Sequence, residues 1–202
     1  MKIYLFRHGE TRWNREKRYQ GVSDIPLSPE GEAALIPAGF TPRVVYVSPL
    51  GRTHQTAEKL FPKIPQIIVD DLREMDFGAF EGRNYVEMEH DAAYRAWVAG
   101  NCQGRCPGGE DWAQFSSRVK IAFLQLVEDH LERQEKTLVI VAHGGVQMAL
   151  MESFALPHKD RYQWFVQPGG GFLLELDENL WRSEKKLRYL DTVRCTREEN
   201  LC

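Results

Sequence analysis

At 202 residues the chain is long enough for one domain with a substantial buried core and room for an inserted lobe. Apolar residues make up 43% and charged residues 27%, the ordinary balance of a folded water-exposed chain, which excludes a collagenous, low-complexity or disordered class. A net charge of −3 argues against nucleic acid or an anionic membrane as a general partner, while still permitting a basic pocket inside a mildly acidic molecule.

In chain order, Ile3-Tyr4-Leu5-Phe6 reads as a strand that runs into Arg7-His8-Gly9-Glu10-Thr11, so polar groups stand where the chain turns. Tyr19 to Gly31 is a loop rich in turn formers, and Ser28-Pro29-Glu30 has an N-cap followed by proline at the first helical position. Pro37 and Gly39 keep the helix that follows short. Residues 43–47 form a buried β-branched strand, followed by Ser48-Pro49-Leu50-Gly51-Arg52 and a helix over 53–61. A third strand is expected at 67–69. Beyond it lie the glycines and aromatics of MDFGAFEG, a helix over 84–100 and a turn-rich break at 101–109. Residues 110–133 carry apolar side chains at helical spacing and predict one long amphipathic helix. Thr137 to Ala142 is the most apolar strand, ends in His143-Gly144-Gly145 and continues as a helix over 146–154. Residues 171–176 and 181–190 alternate like two late strands, with a hairpin around 177–179, and the chain after Val193 reads as a polar surface tail.

Strands alternating with helices predict an α/β fold, a three-layer α/β/α sandwich around a mostly parallel sheet, with residues 71–109 as an inserted helical lobe over one sheet end. The whole of 1–202 is expected to be one domain. The apolar start MKIYLF is too short for a signal peptide and no run approaches the roughly 20 residues of a membrane helix, so a cytoplasmic protein is expected. The four cysteines, at 102, 106, 195 and 202, lack a second paired cluster and are expected to be free thiols, with no metal site.

Parallel strands share one carboxyl edge, so Arg7 and His8, Arg52, and His143 are predicted to converge. Two guanidinium forks and two imidazoles suit a phosphoryl group: the arginines orient its oxygens, one histidine attacks phosphorus, and the other stabilises charge in the transition state. The nucleophile needs its second nitrogen held by an acceptor, for which a backbone carbonyl near Gly9 is available. For the leaving oxygen Glu74 is the preferred acid, because Leu72, Met75, Phe77 and Phe80 around it would desolvate its charged form. Glu10 and Glu81 compete by residue type, and spacing does not choose between His8 and His143. His54, His90, His130 and His158 are expected on the surface, and Trp13 and Trp112 in packing.

RHGETRWN, YQGVSDIPLSPEG, SPLGRTHQTA, LREMDFGAFEG and VAHGG, in this order, resemble the signature blocks of the histidine phosphatase superfamily, the phosphoglycerate-mutase-like proteins. The resemblance spans most of the chain. It implies that His8 is the phosphorylated nucleophile, Glu74 the proton donor, and Arg7, Arg52 and His143 the phosphate pocket. Asn14 would add a side-chain amide and Gly144 a backbone N–H, with Gln20 and Gly21 bordering the substrate. No cofactor is implied. The substrate is a small-molecule phosphomonoester, and the lobe pattern looks most like the α-ribazole phosphatases and broad-specificity relatives. In the lobe, Phe77, Phe80, Tyr85, Tyr94 and Trp97 would either stack on a substrate ring or pack among themselves. A phosphoglycerate mutase and a non-catalytic phosphate-binding module are the alternatives. The oligomeric state, monomer or homodimer, is left open.

Overall fold

The structure, a computed structural model, describes residues 1–197. In chain order the elements are β1 Lys2–Arg7, α1 Arg12–Arg15, α2 Pro29–Ala34, β2 Val45–Val47, α3 Gly51–Leu60, β3 Gln66–Ile68, α4 Ala92–Ala99 and α5 Trp112–Glu132. They continue with β4 Thr137–Ala142, α6 Gly144–Phe154, β5 Ala155–Leu156, β6 Gly170–Glu175, α7 Glu178–Glu184 and β7 Leu187–Arg194. Single 3-10 turns stand at Asp70–Leu72, Gly78–Phe80 and Arg161–Trp164.

Seven strands make one sheet in the order β3-β2-β4-β1-β6-β7-β5. β6 pairs antiparallel with both β1 and β7, and the other pairings are parallel. The α/β expectation with a mostly parallel sheet therefore holds. Strand alternation sorts the apolar residues into two layers. Ile3, Leu5, Tyr46, Leu138 and Ile140 face a core shared with α5 and α6, whereas Phe6, Val45, Val47, Val139 and Val141 face the core under α3. On the first face α5 buries Phe115, Val119, Phe123 and Val127 along one stripe, each contributing about 1.5–3 kcal/mol relative to exposure. A capping box between Asp111 and Gln114 starts that helix. Residues of the 70–110 segment, including Leu72, Met75, Phe80, Met88 and Trp97, bury into this same core rather than building a second one.

Four expectations are corrected. The helix expected over 84–100 begins only at Ala92, where Asp91 caps it, because Asn84 ties residues 84–87 into turns through its own side chain. The strand expected over 181–190 is instead α7 followed by β7: Asp177 accepts the Leu180 N–H as an N-cap, Trp181 is buried, and Lys185 ends the helix in the left-handed region. A pairing of β6 with β7 remains, but a helix bridges it in place of a tight turn. His130 is fully buried rather than on the surface. Its Nδ1–H donates to the Leu126 carbonyl one turn back at 2.7 Å, and its ring packs on Tyr46. Finally, the chain past Val193 is tied down through residue 197, and the end of the tail lies outside the described residues: Cys195 is buried, its carbonyl accepts the Ile36 N–H, and the Arg197 N–H donates to Ala34. Cys102, Cys106 and Cys195 are free thiols, and Cys202 lies outside the described residues. Among the described residues no helix is long and apolar enough to cross a membrane.

Candidate active site

The sheet order explains how residues distant in sequence meet. β4 inserts between β2 and β1, all three parallel, with Arg7 opposite Ala142 and Val47 opposite Val141. Their carboxyl ends deliver His8, Ser48 and His143 to one edge, where a crevice forms in sheets of this kind. The His8 N–H donates to the Ala142 carbonyl at 3.0 Å, which locks the first turn against the last residue of β4. Arg52 sits in the first turn of α3, and His143 occupies the N-cap position of α6.

His8 is 3% exposed and its Nδ1–H donates to the Gly9 carbonyl at 2.7 Å. That bond fixes the tautomer and leaves Nε2 with its lone pair. Burial and the nearby Arg52 and Arg7 guanidiniums hold its pKa well below the ordinary histidine value. His143 lies with its ring centroid 5.3 Å from that of His8 and is likewise shifted down, first by burial and then by Arg52. Its Nε2 hydrogen-bonds the Ser48 hydroxyl at 2.7 Å, and Ser48 in turn meets the Thr53 hydroxyl at 3.1 Å. Sequence reasoning gave Ser48 no role, although it follows β2 directly and opens the SPLGRTHQTA block.

Among the described residues, three buried nitrogens in this cluster have no protein partner: Arg7 Nε, Arg52 Nε and His143 Nδ1. A buried polar nitrogen without a partner costs about 1–3 kcal/mol, so a group of them, two on guanidiniums, is suited to an anionic ligand. Arg7 Nη1 donates to the Val166 carbonyl at 2.7 Å, and burial lowers the pKa of its guanidinium. Burial pushes Arg52 down to about 10, still cationic at neutral pH. Arg52 Nη1 and Nη2 donate at 2.8 Å to the Ser23 and Gly21 carbonyls and fasten the 20–24 loop to the site.

Gly21 has φ +53°, and a Cβ there would lie 1.8 Å from Glu81 Oε1. Glu81 is spent on that loop: its carboxylate accepts the Val22 and Ser23 N–H groups at 2.9 Å and the Phe77 N–H at 3.1 Å. Glu10 pairs with Arg15 at 2.7 Å on an exposed face. Glu74 alone of the three carboxylates lines the cavity beside the cluster. Its Oε1 accepts the Met75 N–H at 3.0 Å and its Oε2 the Gly145 N–H of α6 at 2.9 Å. Asn14 and Gln20 are not cavity residues. Asn14 Oδ1 accepts the Thr11 N–H at 3.0 Å in the capping box of α1, and Gln20 Oε1 accepts the Thr11 hydroxyl at 2.9 Å. Asn14 keeps its amide N–H₂ as a donor.

A cavity of about 250 Å³ opens next to these groups, reached by Arg7, Glu74, Gly144 and Gly145. The histidine rings do not themselves line it; their chain neighbours Arg7 and Gly144 do. Of the lobe aromatics, Phe77 and Trp97 line it, Phe80 and Tyr94 pack around Trp97, and Tyr85 is exposed. Sequence reasoning placed Trp112 in packing and passed over residues 161–165. Yet Trp112, Arg161, Tyr162 and Phe165 complete the wall. Among the described residues no group of three or more His, Cys, Asp and Glu side chains is arranged to hold a metal.

Residues 3–186 match the family model of the histidine phosphatase superfamily (branch 1). A protein of Salmonella choleraesuis named "Probable phosphoglycerate mutase GpmB" is 38% identical over 153 residues, covering 71% of this chain and 70% of its own. The α-ribazole phosphatase structure from Shigella flexneri superposes with a TM-score of 0.78 at 25% identity, covering 99% of this chain and 100% of its own. A phosphoglycerate mutase structure from Thermus thermophilus gives 0.69 at 30% identity, with 96% and 98% covered. By family model, relative and fold alike, the chain belongs to the histidine phosphatase superfamily.

Proposed function

We propose that the protein is a metal-independent phosphomonoester hydrolase acting through a phosphohistidine at His8. The observation that carries this reading is the His8 Nδ1–H bond to Gly9. It leaves a neutral ring with a free Nε2 lone pair, buried beside His143 and two guanidiniums. In the first step that lone pair attacks phosphorus and the ester P–O bond breaks. Glu74 gives its proton to the leaving oxygen. In the second, a water attacks the phosphohistidine, Glu74 takes the water proton, and the N–P bond breaks to release inorganic phosphate. Arg7, Arg52 and His143 supply the unpartnered buried donors for the phosphoryl oxygens, with Asn14 and the Gly144 N–H as further donors.

The substrate class is a small-molecule phosphomonoester with a ring-bearing leaving group, α-ribazole 5′-phosphate among the candidates, because Phe77, Trp97 and Trp112 line the adjacent cavity. A phosphoglycerate mutase is the second reading, favoured by the name of the Salmonella relative and by the Thermus structure. The two separate in one assay that follows phosphate release from phenyl phosphate beside interconversion of 3-phosphoglycerate and 2-phosphoglycerate, with and without EDTA. Phosphate release that survives EDTA supports the hydrolase. Rapid interconversion with negligible release overturns it.

A further inference from the structure

Arg161 stands outside the phosphate cluster but lines the same cavity, where, like Arg7, its hydrogen-bond partners carry no charge. The residue is 3% exposed, held by the 3-10 turn Arg161–Trp164 that Asp160 caps through the Tyr162 N–H. Its guanidinium carbon lies 4.2 Å from the centre of the Trp112 ring and 4.8 Å from that of Tyr162, so two aromatic rings lie against it. Nη2 alone finds protein acceptors, the Asn101 carbonyl at 2.5 Å and the Tyr162 hydroxyl at 3.1 Å. Among the described residues the remaining donors have none, and no carboxylate lies within salt-bridge reach of Arg161. The cavity holds one acid, Glu74, whose oxygens are already engaged by the Met75 and Gly145 N–H groups. A buried cation without a counterion is costly, and the cavity that Arg161 lines offers room for an anion to balance it.

We propose that Arg161 is a specificity-determining residue that takes an anionic oxygen on the leaving group, so that among ring-bearing phosphomonoesters those that also carry a carboxylate are preferred over ones with an uncharged leaving group such as α-ribazole 5′-phosphate. The ring lies among Phe77, Trp97 and Trp112, and the carboxylate meets the free donors of Arg161 in the cavity that Arg7 also lines. The identity of the reacting group rests on the phosphatase reading above, but the anion subsite is tested independently of turnover.

The experiment measures binding of benzylphosphonate and of its 3- and 4-carboxy derivatives by calorimetry, with phenyl phosphate hydrolysis assayed in parallel. Wild-type protein is expected to bind at least one carboxylated phosphonate about tenfold more tightly than the parent, the worth of one charge-assisted hydrogen bond. In Arg161→Gln that ratio is expected to collapse towards one, and Arg161→Lys to retain part of it. Equal binding of all three phosphonates by the wild type overturns the proposal even if a variant fails to fold, as does an unchanged ratio in Arg161→Gln. Preferential binding without hydrolysis would sink the phosphatase reading and leave the subsite standing. Hydrolysis without preference would do the reverse.

Discussion

Gly145→Ala probes the placement of Glu74 without touching a charged group. A Cβ at this position would lie 2.3 Å from Glu74 Oε1, 3.1 Å from its Cδ and 3.2 Å from Phe115 Cζ. The residue lies in the first turn of α6, where alanine is favoured over glycine by up to about 1 kcal/mol, and this offsets the crowding against Phe115. The melting temperature is therefore expected to stay within about 4 °C of wild type. The carboxylate has no such tolerance and must swing away, losing the 2.9 Å bond from the Gly145 N–H to Oε2. A displacement of about 1 Å in a reacting group costs on the order of 100-fold in rate. Because Glu74 is assigned the proton transfer to the leaving oxygen, the loss should follow leaving-group basicity. Rapid-quench measurement of His8 phosphorylation in the first turnover isolates that step. The expected result is a loss of about 100-fold with glycerol phosphate but under about fivefold with 4-nitrophenyl phosphate, whose leaving group needs no proton. Equal losses on both substrates would refute the placement of Glu74 as the donor.

Three further outcomes are expected. Both site histidines have folded-state pKa values below their unfolded value, chiefly through burial, so below about pH 6.5 the unfolded chain binds protons that the folded chain refuses. Stability then falls with decreasing pH by up to about 1.4 kcal/mol per unit for each histidine and is independent of them above that range; urea unfolding across pH should show a shallower slope for His143→Gln, and an unchanged slope contradicts this. Arg118 donates to Glu110 through Nε and Nη2 and to the carbonyls of Asp71, Arg73 and Glu74, so it buttresses the segment that carries Glu74. Arg118→Lys cannot reproduce that fork and should lower kcat on glycerol phosphate about tenfold, with a lower melting temperature, and wild-type values for both would remove Arg118 from this role. Gly21→Ala forces a side chain into the left-handed region against Glu81, and chemical denaturation should register a loss of about 1–3 kcal/mol.

Much of the site was legible because its groups lie at the ends of the most regular elements. Ile3 to Phe6 and Thr137 to Ala142 are apolar runs whose strand character leaves little choice, and parallel pairing then brings His8 to His143. What stayed hidden depends on contacts that no local pattern encodes. Trp112 has the same spacing as the core stripe of α5, and only its position at the first turn, with Arg161 laid on it, turns it towards the cavity. Residues 161–165 reach the site by returning over α6, a tertiary path without periodicity. The misreading of 181–190 has a simpler cause. Trp181 and Leu187 are both buried, and the alternation around them fits a strand until the Asp177 cap and the left-handed Lys185 are recognised as the two ends of a short helix. Glu81 and Glu10 could not be told from Glu74 by residue type, since what separates them is which N–H groups and arginine each one meets.

The most direct test is to find where the phosphoryl group goes. Wild-type protein mixed with phenyl phosphate, quenched in base and digested for mass spectrometry, should carry phosphate on the imidazole of His8. The His8→Asn variant should carry none and should not turn over. Phosphate on His143, or undiminished turnover by the variant, would contradict His8 as the nucleophile.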